Sequence, residues 1–321
     1  MSANDPLLHE IELPFRTTSY PLGFRLNLAT NSRHVIEAAA EAWDVYTPAF
    51  TRQPLDMRLI AQPEGELADG QPCFRGQGDL FSIVYDRHNF GVYNSDSMAG
   101  YCFVSEKTAA DHMRLRAHFL EAMAYAILAQ RLAVPMHAAA VMRGGYGFLL
   151  CGPSGAGKST LAYACARAGW TFVSDDASWL PVEGEGRWAI GRPHFARFRE
   201  DSPLLFPELE RYLAEQRPNG KLTIEAPTAD FSCIRTAVRC EVDYLIALAR
   251  RPPGTGAPAC LVPISPPEII EQMKTDSSTY GERVHELHER TLARLMAVQA
   301  WRLEYESLEE GMRLLSEIKS K

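Results

Sequence analysis

The seven cysteines lie scattered at positions 73, 102, 151, 165, 233, 240 and 260, and no two of them form a C-x-x-C pair. That argues against a cysteine zinc site or a dithiol redox motif. An odd number of unpaired thiols fits a reducing, cytoplasmic setting. No apolar run approaches the roughly 18–20 residues that a membrane helix needs. No block of Lys and Arg stands out either, and the net charge is −7 with a pI of about 5.8. Nucleic acid and membrane surfaces are therefore not the expected partners. The first residues, Met1-Ser2-Ala3-Asn4-Asp5, are polar and acidic, unlike a signal peptide. Repeats, low-complexity tracts and flexible linkers are also lacking. What remains is a chain of 321 residues, 46% of them hydrophobic, enough for two domains each with its own core.

The richest stretch runs from Met136 to Leu180. Gly152-Pro153-Ser154-Gly155-Ala156-Gly157-Lys158-Ser159 satisfies G-x-x-x-x-G-K-[ST], the phosphate-cradling P-loop. Its context is the one that chemistry requires. Phe148 to Cys151 reads as a short apolar strand, and Thr160 to Ala168 is Ala-rich and reads as a helix. Gly169 stands where a C-cap glycine belongs. Backbone N–H groups of the loop and the helix N-terminus, through Thr160, would face an anion, and Lys158 adds a point charge. The Ser159 hydroxyl would ligate Mg²⁺. Next, Trp170 to Ser174 reads as a strand ending in Asp175-Asp176. A strand returning beside the P-loop strand would deliver both carboxylates to the phosphates, one to hold Mg²⁺ and one to take a proton from an attacking hydroxyl. Upstream, Pro135 to Val141 and the Gly144-Gly145 turn read as a hairpin that places His137 at the end of a neighbouring strand.

His137-Ala138, GPSGAGKS, a helix and Val173-Ser174-Asp175-Asp176, in this order and at these intervals, resemble the core of the HPr kinase/phosphorylase family, related to the P-loop phosphoenolpyruvate carboxykinases. The resemblance is specific between about Met136 and Leu180. It implies that Lys158 and Ser159 bind nucleotide phosphates and Mg²⁺, that Asp176 is the catalytic base, and that His137 is the active-site histidine. Asp175 is then the acidic partner of the metal. The family's downstream loop for docking its phosphocarrier substrate has no counterpart here. The resemblance therefore speaks to the phosphotransfer machinery more than to the acceptor. No LSGGQ-like signature points to a transporter ATPase.

Elsewhere the signals are structural. Residues 1–104 read as mostly β, with a helix capped by Ser32 and running to Trp43, and a hairpin around Asp86-Arg87-His88-Asn89 whose polar tip needs no function. A long helix is expected from Ser105, with Leu120, Met123, Ala124, Ile127 and Leu128 on its core face. His112 and His118 on it share no face with a third ligand type and read as solvated. Phe195, Arg197 and Arg199 alternate on a strand whose basic face either protects an edge or meets phosphate. Glu200 or Asp201 is a candidate for an extra metal ligand. Lys221, in the turn Arg217 to Lys221, and the strand-end pair Arg250-Arg251 are further phosphate candidates. Helices are expected over Leu204–Leu213, after Ser265, from Gly281 to Gln299 and after Ser307, where Ser307 and Glu310 form a capping box.

The expected fold is α/β: a P-loop kinase core over residues 105–321, with a mixed β-sheet and flanking helices, preceded by a smaller, mostly β (α+β) domain over residues 1–104. The expected activity is transfer of the γ-phosphoryl group of ATP, with Mg²⁺, to a hydroxyl, foremost a serine of a peptide or small protein. A small-molecule kinase and a nucleotide-sensing module with little turnover are the alternatives. Homo-oligomerisation is left open.

Overall fold

The computed structural model describes residues 11–318 apart from 218–219, 253, 255 and 275–279. The N-terminal pentapeptide and parts of the turns at 217–221 and 252–256 lie outside the described residues. Contacts divide the chain into two compact units, Met1–Leu128 with Arg217–Lys221, and Ala129–Gln216 with Leu222–Lys321. The first unit thus takes in the helices after Ser105, which the sequence pattern assigns to the kinase core.

The first unit is built on a seven-stranded mixed sheet in the order β1-β2-β3-β7-β6-β5-β4. Its strands are Phe15–Ser19 (β1), Leu26–Thr30 (β2), Leu55–Gln62 (β3), Cys73–Gln77 (β4), Leu80–Val84 (β5), Phe90–Asn94 (β6) and Ala99–Ser105 (β7). Helix α1, Arg33–Trp43, buries Val35, Ala38, Ala39, Ala42 and Trp43. The long helix expected from Ser105 is broken. Glu106–Ala110 (α2) gives way to His112–Leu115 (α3), a π-helical turn over Arg116–Leu120 and then Glu121–Arg131 (α4). The break is at Asp111, whose backbone leaves the helical region and whose side chain accepts from the Arg114 N–H, capping a new helix. Asp111 can satisfy a backbone donor locally, which competes with helix continuation. Gly91 and Gly100 keep the sheet clear for Met123, which would collide with a Cβ at either position.

The second unit carries a ten-stranded mixed sheet and a separate three-stranded one. Ala133–Met136 (β8), Ala138–Arg143 (β9) and Tyr146–Cys151 (β10) precede helix α5, Lys158–Arg167. Thr171–Ser174 (β11), Ser178–Pro181 (β12), Trp188–Ile190 (β13) and Phe195–Arg199 (β14) follow, then Ala214–Gln216 (β15), Leu222–Pro227 (β16) and Arg235–Thr236 (β17). The last elements are Arg239–Arg250 (β18), Cys260–Pro263 (β19), Pro266–Met273 (α6), Glu282–Leu292 (α7), Gln299–Tyr305 (β20) and Leu308–Glu317 (α8). The large sheet runs β17-β11-β9-β10-β18-β13-β12-β8, with β20 on β18 and β19 on β20. β18 lies parallel to β10, and β20 parallel to β18. Both faces of β18 are covered: Tyr244, Ile246 and Leu248 join the core beneath α5 and α8, while Leu245 and Ala247 join the one beneath α6. This explains its unbroken apolar run.

Three expectations change. The strand ending at the Asp pair pairs with β9, not with the P-loop strand. Leu204–Leu213 is not a helix. It holds 3₁₀ turns at Ser202–Leu204 and Pro207–Leu209, because Pro207 lacks the N–H that an α-helix would need there. The helix from Gly281 ends at Leu292, passes into a 3₁₀ turn over Ala293–Ala297, and Gln299 already belongs to β20. Among the described residues no helix is long and apolar enough to cross a membrane.

Candidate phosphate-binding site

The loop 152–157 joins β10 to α5 at the carboxyl ends of the parallel strands β10 and β18. Gly152, Gly155 and Gly157 have φ of 151°, 91° and 94°, a region L side chains rarely adopt. A Cβ at Gly152 would stand 2.9 Å from that of Ala156. Gly157 is the N-cap of α5, and no side chain caps the helix. The N–H groups of the first turn, where Lys158, Ser159 and Thr160 sit, therefore suit an anion.

Lys158 is 4% exposed, and its Nζ lies at the centre of the site. It donates to Gly152 O at 2.9 Å, to Pro153 O at 3.3 Å and to His137 Nε2 at 2.8 Å. Asp176 Oδ1 stands 3.6 Å from Nζ and 3.5 Å from His137 Nε2. An ammonium has only donors, so Nε2 of His137 is the acceptor here, and a neutral ring carries its proton on Nδ1. His137 links β8 to β9, and its N–H donates to Met273 O at the end of α6.

The two acids of the pair are placed differently. Asp176 is half-exposed. Asp175 is buried, and its Oδ2 accepts from the Arg197 N–H at 2.7 Å. Burial raises the Asp175 pKa, against the nearby Arg197 guanidinium, and the charge of Asp176 adds to the rise. A pair of serines holds the turn between β11 and β12. Ser178 Oγ donates to Ala138 O at 2.9 Å, and the Ser174 and Ser178 hydroxyls meet at 2.6 Å. This ties the Asp turn to the residue after His137. The serines bracket the acids in Ser174-Asp175-Asp176-Ala177-Ser178, a signal that only acquires meaning once the turn is closed.

Of the four candidate arginines, Arg199 lies against the loop: its Nη2 would be 3.3 Å from a Cβ at Gly155. Arg197 is engaged with Glu225 at 2.9 Å. Arg251 donates to Pro258 O at 2.8 Å. Arg250 ends β18 and lowers the pKa of Tyr305, a smaller effect than the burial that pushes that phenol up to about 12. The Tyr305 hydroxyl is 3.2 Å from where a Cβ of Gly157 would be, so the loop needs glycine there for space as well as for φ. Glu200 and Asp201 are exposed in the turn after β14, and Lys221 belongs by its contacts to the first unit. Beside Pro153 opens an apolar slot of about 420 Å³, lined by Ala247, Leu248, Ala249, Gln272 and Arg302. Sequence reasoning does not single it out, because its residues come from separate strands and a helix.

No model of a known protein family matches the chain, and no curated protein matches it by sequence. Among solved structures, the Hpr(Ser) kinase/phosphatase from Coxiella burnetii is similar at 13% identity and a TM-score of 0.30, over 57% of this chain and 88% of that one.

Proposed function

We propose that the second unit is an ATP-dependent phosphotransferase that phosphorylates a hydroxyl, foremost a serine of a peptide or small protein. One observation carries the reading: a buried Lys158 ammonium shared by two P-loop carbonyls and His137, with the half-exposed Asp176 carboxylate beside it, at an uncapped helix N-terminus. The phosphates of ATP would lie on the loop and first-turn amides, with Lys158 turning from the loop carbonyls towards them and Arg199 flanking Gly155. The slot beside Pro153 suits the base: Ala247 and Ala249 offer apolar walls and Gln272 an amide. Ser159 and the Asp pair are hard oxygen donors, the set that fits Mg²⁺, which supplies neutralisation of phosphate charge when bound.

In the transfer, the acceptor oxygen forms a bond to the γ-phosphorus as the bond to the β–γ bridging oxygen breaks, leaving ADP. The hydroxyl proton passes to the Asp176 carboxylate. His137 positions Lys158 by accepting from it at Nε2, and the Lys158 ammonium in turn faces Asp176 Oδ1 at 3.6 Å. The serine acceptor rests on the sequence resemblance. The test is incubation with γ-labelled ATP and host extract, followed by mass spectrometry of what acquires label. Label on a seryl peptide or protein that disappears in Asp176→Asn supports the reading. Tight ATP binding with no transferred phosphate overturns it in favour of a nucleotide sensor.

A further inference from the structure

In the first unit, far apart in sequence, His34 and Glu37 of α1 meet His112 of α3. His112 reads as a solvated helix histidine in the sequence; the fold gives it two further ligand-type neighbours. His34 Nδ1 lies 3.3 Å from His112 Nε2, and Glu37 Oε2 lies 3.8 Å from each of these nitrogens. A point about 2.1 Å from all three atoms closes that triangle, and this is the radius at which zinc holds imidazole nitrogen and carboxylate oxygen. The spacing is that of neighbouring ligands on one ion, and the two rings stand edge to face at 69°, so that neither stacks over the other's nitrogen.

The surroundings orient the ligands. His112 Nδ1 is 2.7 Å from Glu41 Oε1. A carboxylate only accepts, so the His112 proton sits on Nδ1 and the Nε2 lone pair faces the triangle. Glu41 is itself held by Arg116 Nε at 3.3 Å, and the same Nε donates to His112 O. A carboxylate behind a ligating imidazole fixes its tautomer and raises its basicity. His34, Glu37 and Glu41 recur at i, i+3 and i+7 on α1, so one helix face supplies two ligands and the orienting acid. Glu37 and Glu41 together offset the charge of a divalent ion. Two imidazoles and one carboxylate with an open side select a borderline transition metal over Mg²⁺ or Ca²⁺.

We propose that His34, Glu37 and His112 bind a divalent transition metal, zinc in the first instance, with Glu41 as the residue that positions His112. The ion would clip α1 to α3, beside the point where the helix after Ser105 is broken. The proposal concerns the first unit only and stands or falls independently of the phosphotransfer reading.

The test uses the metal-stripped full-length chain without nucleotide, titrated with zinc against a micromolar chromophoric indicator. One equivalent is expected. His34→Ala, at a side chain about half exposed (54%), should lose it while keeping its circular dichroism spectrum. His112→Ala should do the same, and Glu41→Gln should weaken binding by about 10–100-fold. His285→Ala, at an exposed histidine of the other unit, should bind as wild type does. Cobalt should give visible bands without a thiolate charge-transfer band. No stoichiometric zinc, full binding in His34→Ala, or a thiolate band pointing to Cys73 or Cys233 would each overturn the assignment. In those cases His34 and His112 share an ordinary hydrogen bond.

Discussion

Lys158 has three protons to place, and its neighbours decide what it can do with them. Two P-loop carbonyls and His137 hold it, with Asp176 at 3.6 Å, so it is preorganised without being locked to one counter-ion. Hydrogen bonds to charged groups are worth about 1.5–3 kcal/mol. Lys158→Ala should therefore lower ATP affinity by roughly tenfold to a hundredfold while the chain stays folded; unchanged affinity by isothermal titration in a folded variant would sink the phosphate assignment. Asp176→Asn preserves shape but cannot take a proton. Single-turnover transfer should fall about 10²–10⁴-fold with ATP affinity kept. Asp175 behaves otherwise. Its folded pKa is raised, so its ionisation weakens the folded state: stability is fully present below the ordinary carboxylate range and declines as pH rises through the raised pKa. Asp175→Asn removes that decline. Its Tm, compared with wild type, should rise steadily as the pH climbs from the ordinary carboxylate range through the raised pKa of Asp175. If the difference is flat, burial does not perturb Asp175. The glycines, Lys158 and the acids were legible as types, because phosphate chemistry admits few substitutes. Which acid faces Lys158 was not, because that depends on the Arg197 amide brought in from β14.

At the scale of elements, the broken helix is the most informative. His118 sits in the π-helical turn between α3 and α4, 2% exposed, with neither ring nitrogen hydrogen-bonded among the described residues. It stacks on Tyr85 at 4.8 Å. Burial, reinforced by Arg114, pushes its pKa down to about 4. An unfolded histidine titrates near 6.5, so between about pH 6.5 and 4 the unfolded chain binds the proton first, and stability is lost as the pH falls through that window. His118→Phe keeps the stacking and removes the titration. Its acid-unfolding midpoint, followed by circular dichroism, should move to lower pH; an unmoved midpoint would show that His118 does not limit acid stability. Local elements such as α8 were readable because the Ser307–Glu310 capping box is a contact within one turn. The break at Asp111 was not, since the apolar stripe continues through Leu120 to Leu128 and hides a cap that depends on one side chain's choice of partner.

At the scale of the whole molecule, two units divide the chain, and every residue proposed for phosphotransfer lies in the second. A ligand that binds only the folded state stabilises it by mass action, about 2.7 kcal/mol at a hundredfold excess over Kd. ATP with Mg²⁺ should accordingly raise the Tm of that unit, and EDTA should cancel much of the shift; equal stabilisation with and without metal would argue against Ser159 and the Asp pair as its ligands. The sequence by itself determined the α/β character, the strand–loop–helix proposed to cradle an anion, and the His137, Lys158 and Asp pair as its candidate chemical inventory. These are local patterns in which backbone conformation and residue chemistry are set within a few positions. The tertiary structure alone decided that β9 separates the Asp strand from the P-loop strand, that Asp175 is turned inward and Asp176 outward, that Arg199 rather than Arg197 meets the loop, and that His34, Glu37 and His112 converge. Each depends on which distant segments share a sheet or a helix face, and that is settled by the packing of whole cores, which no window of sequence contains.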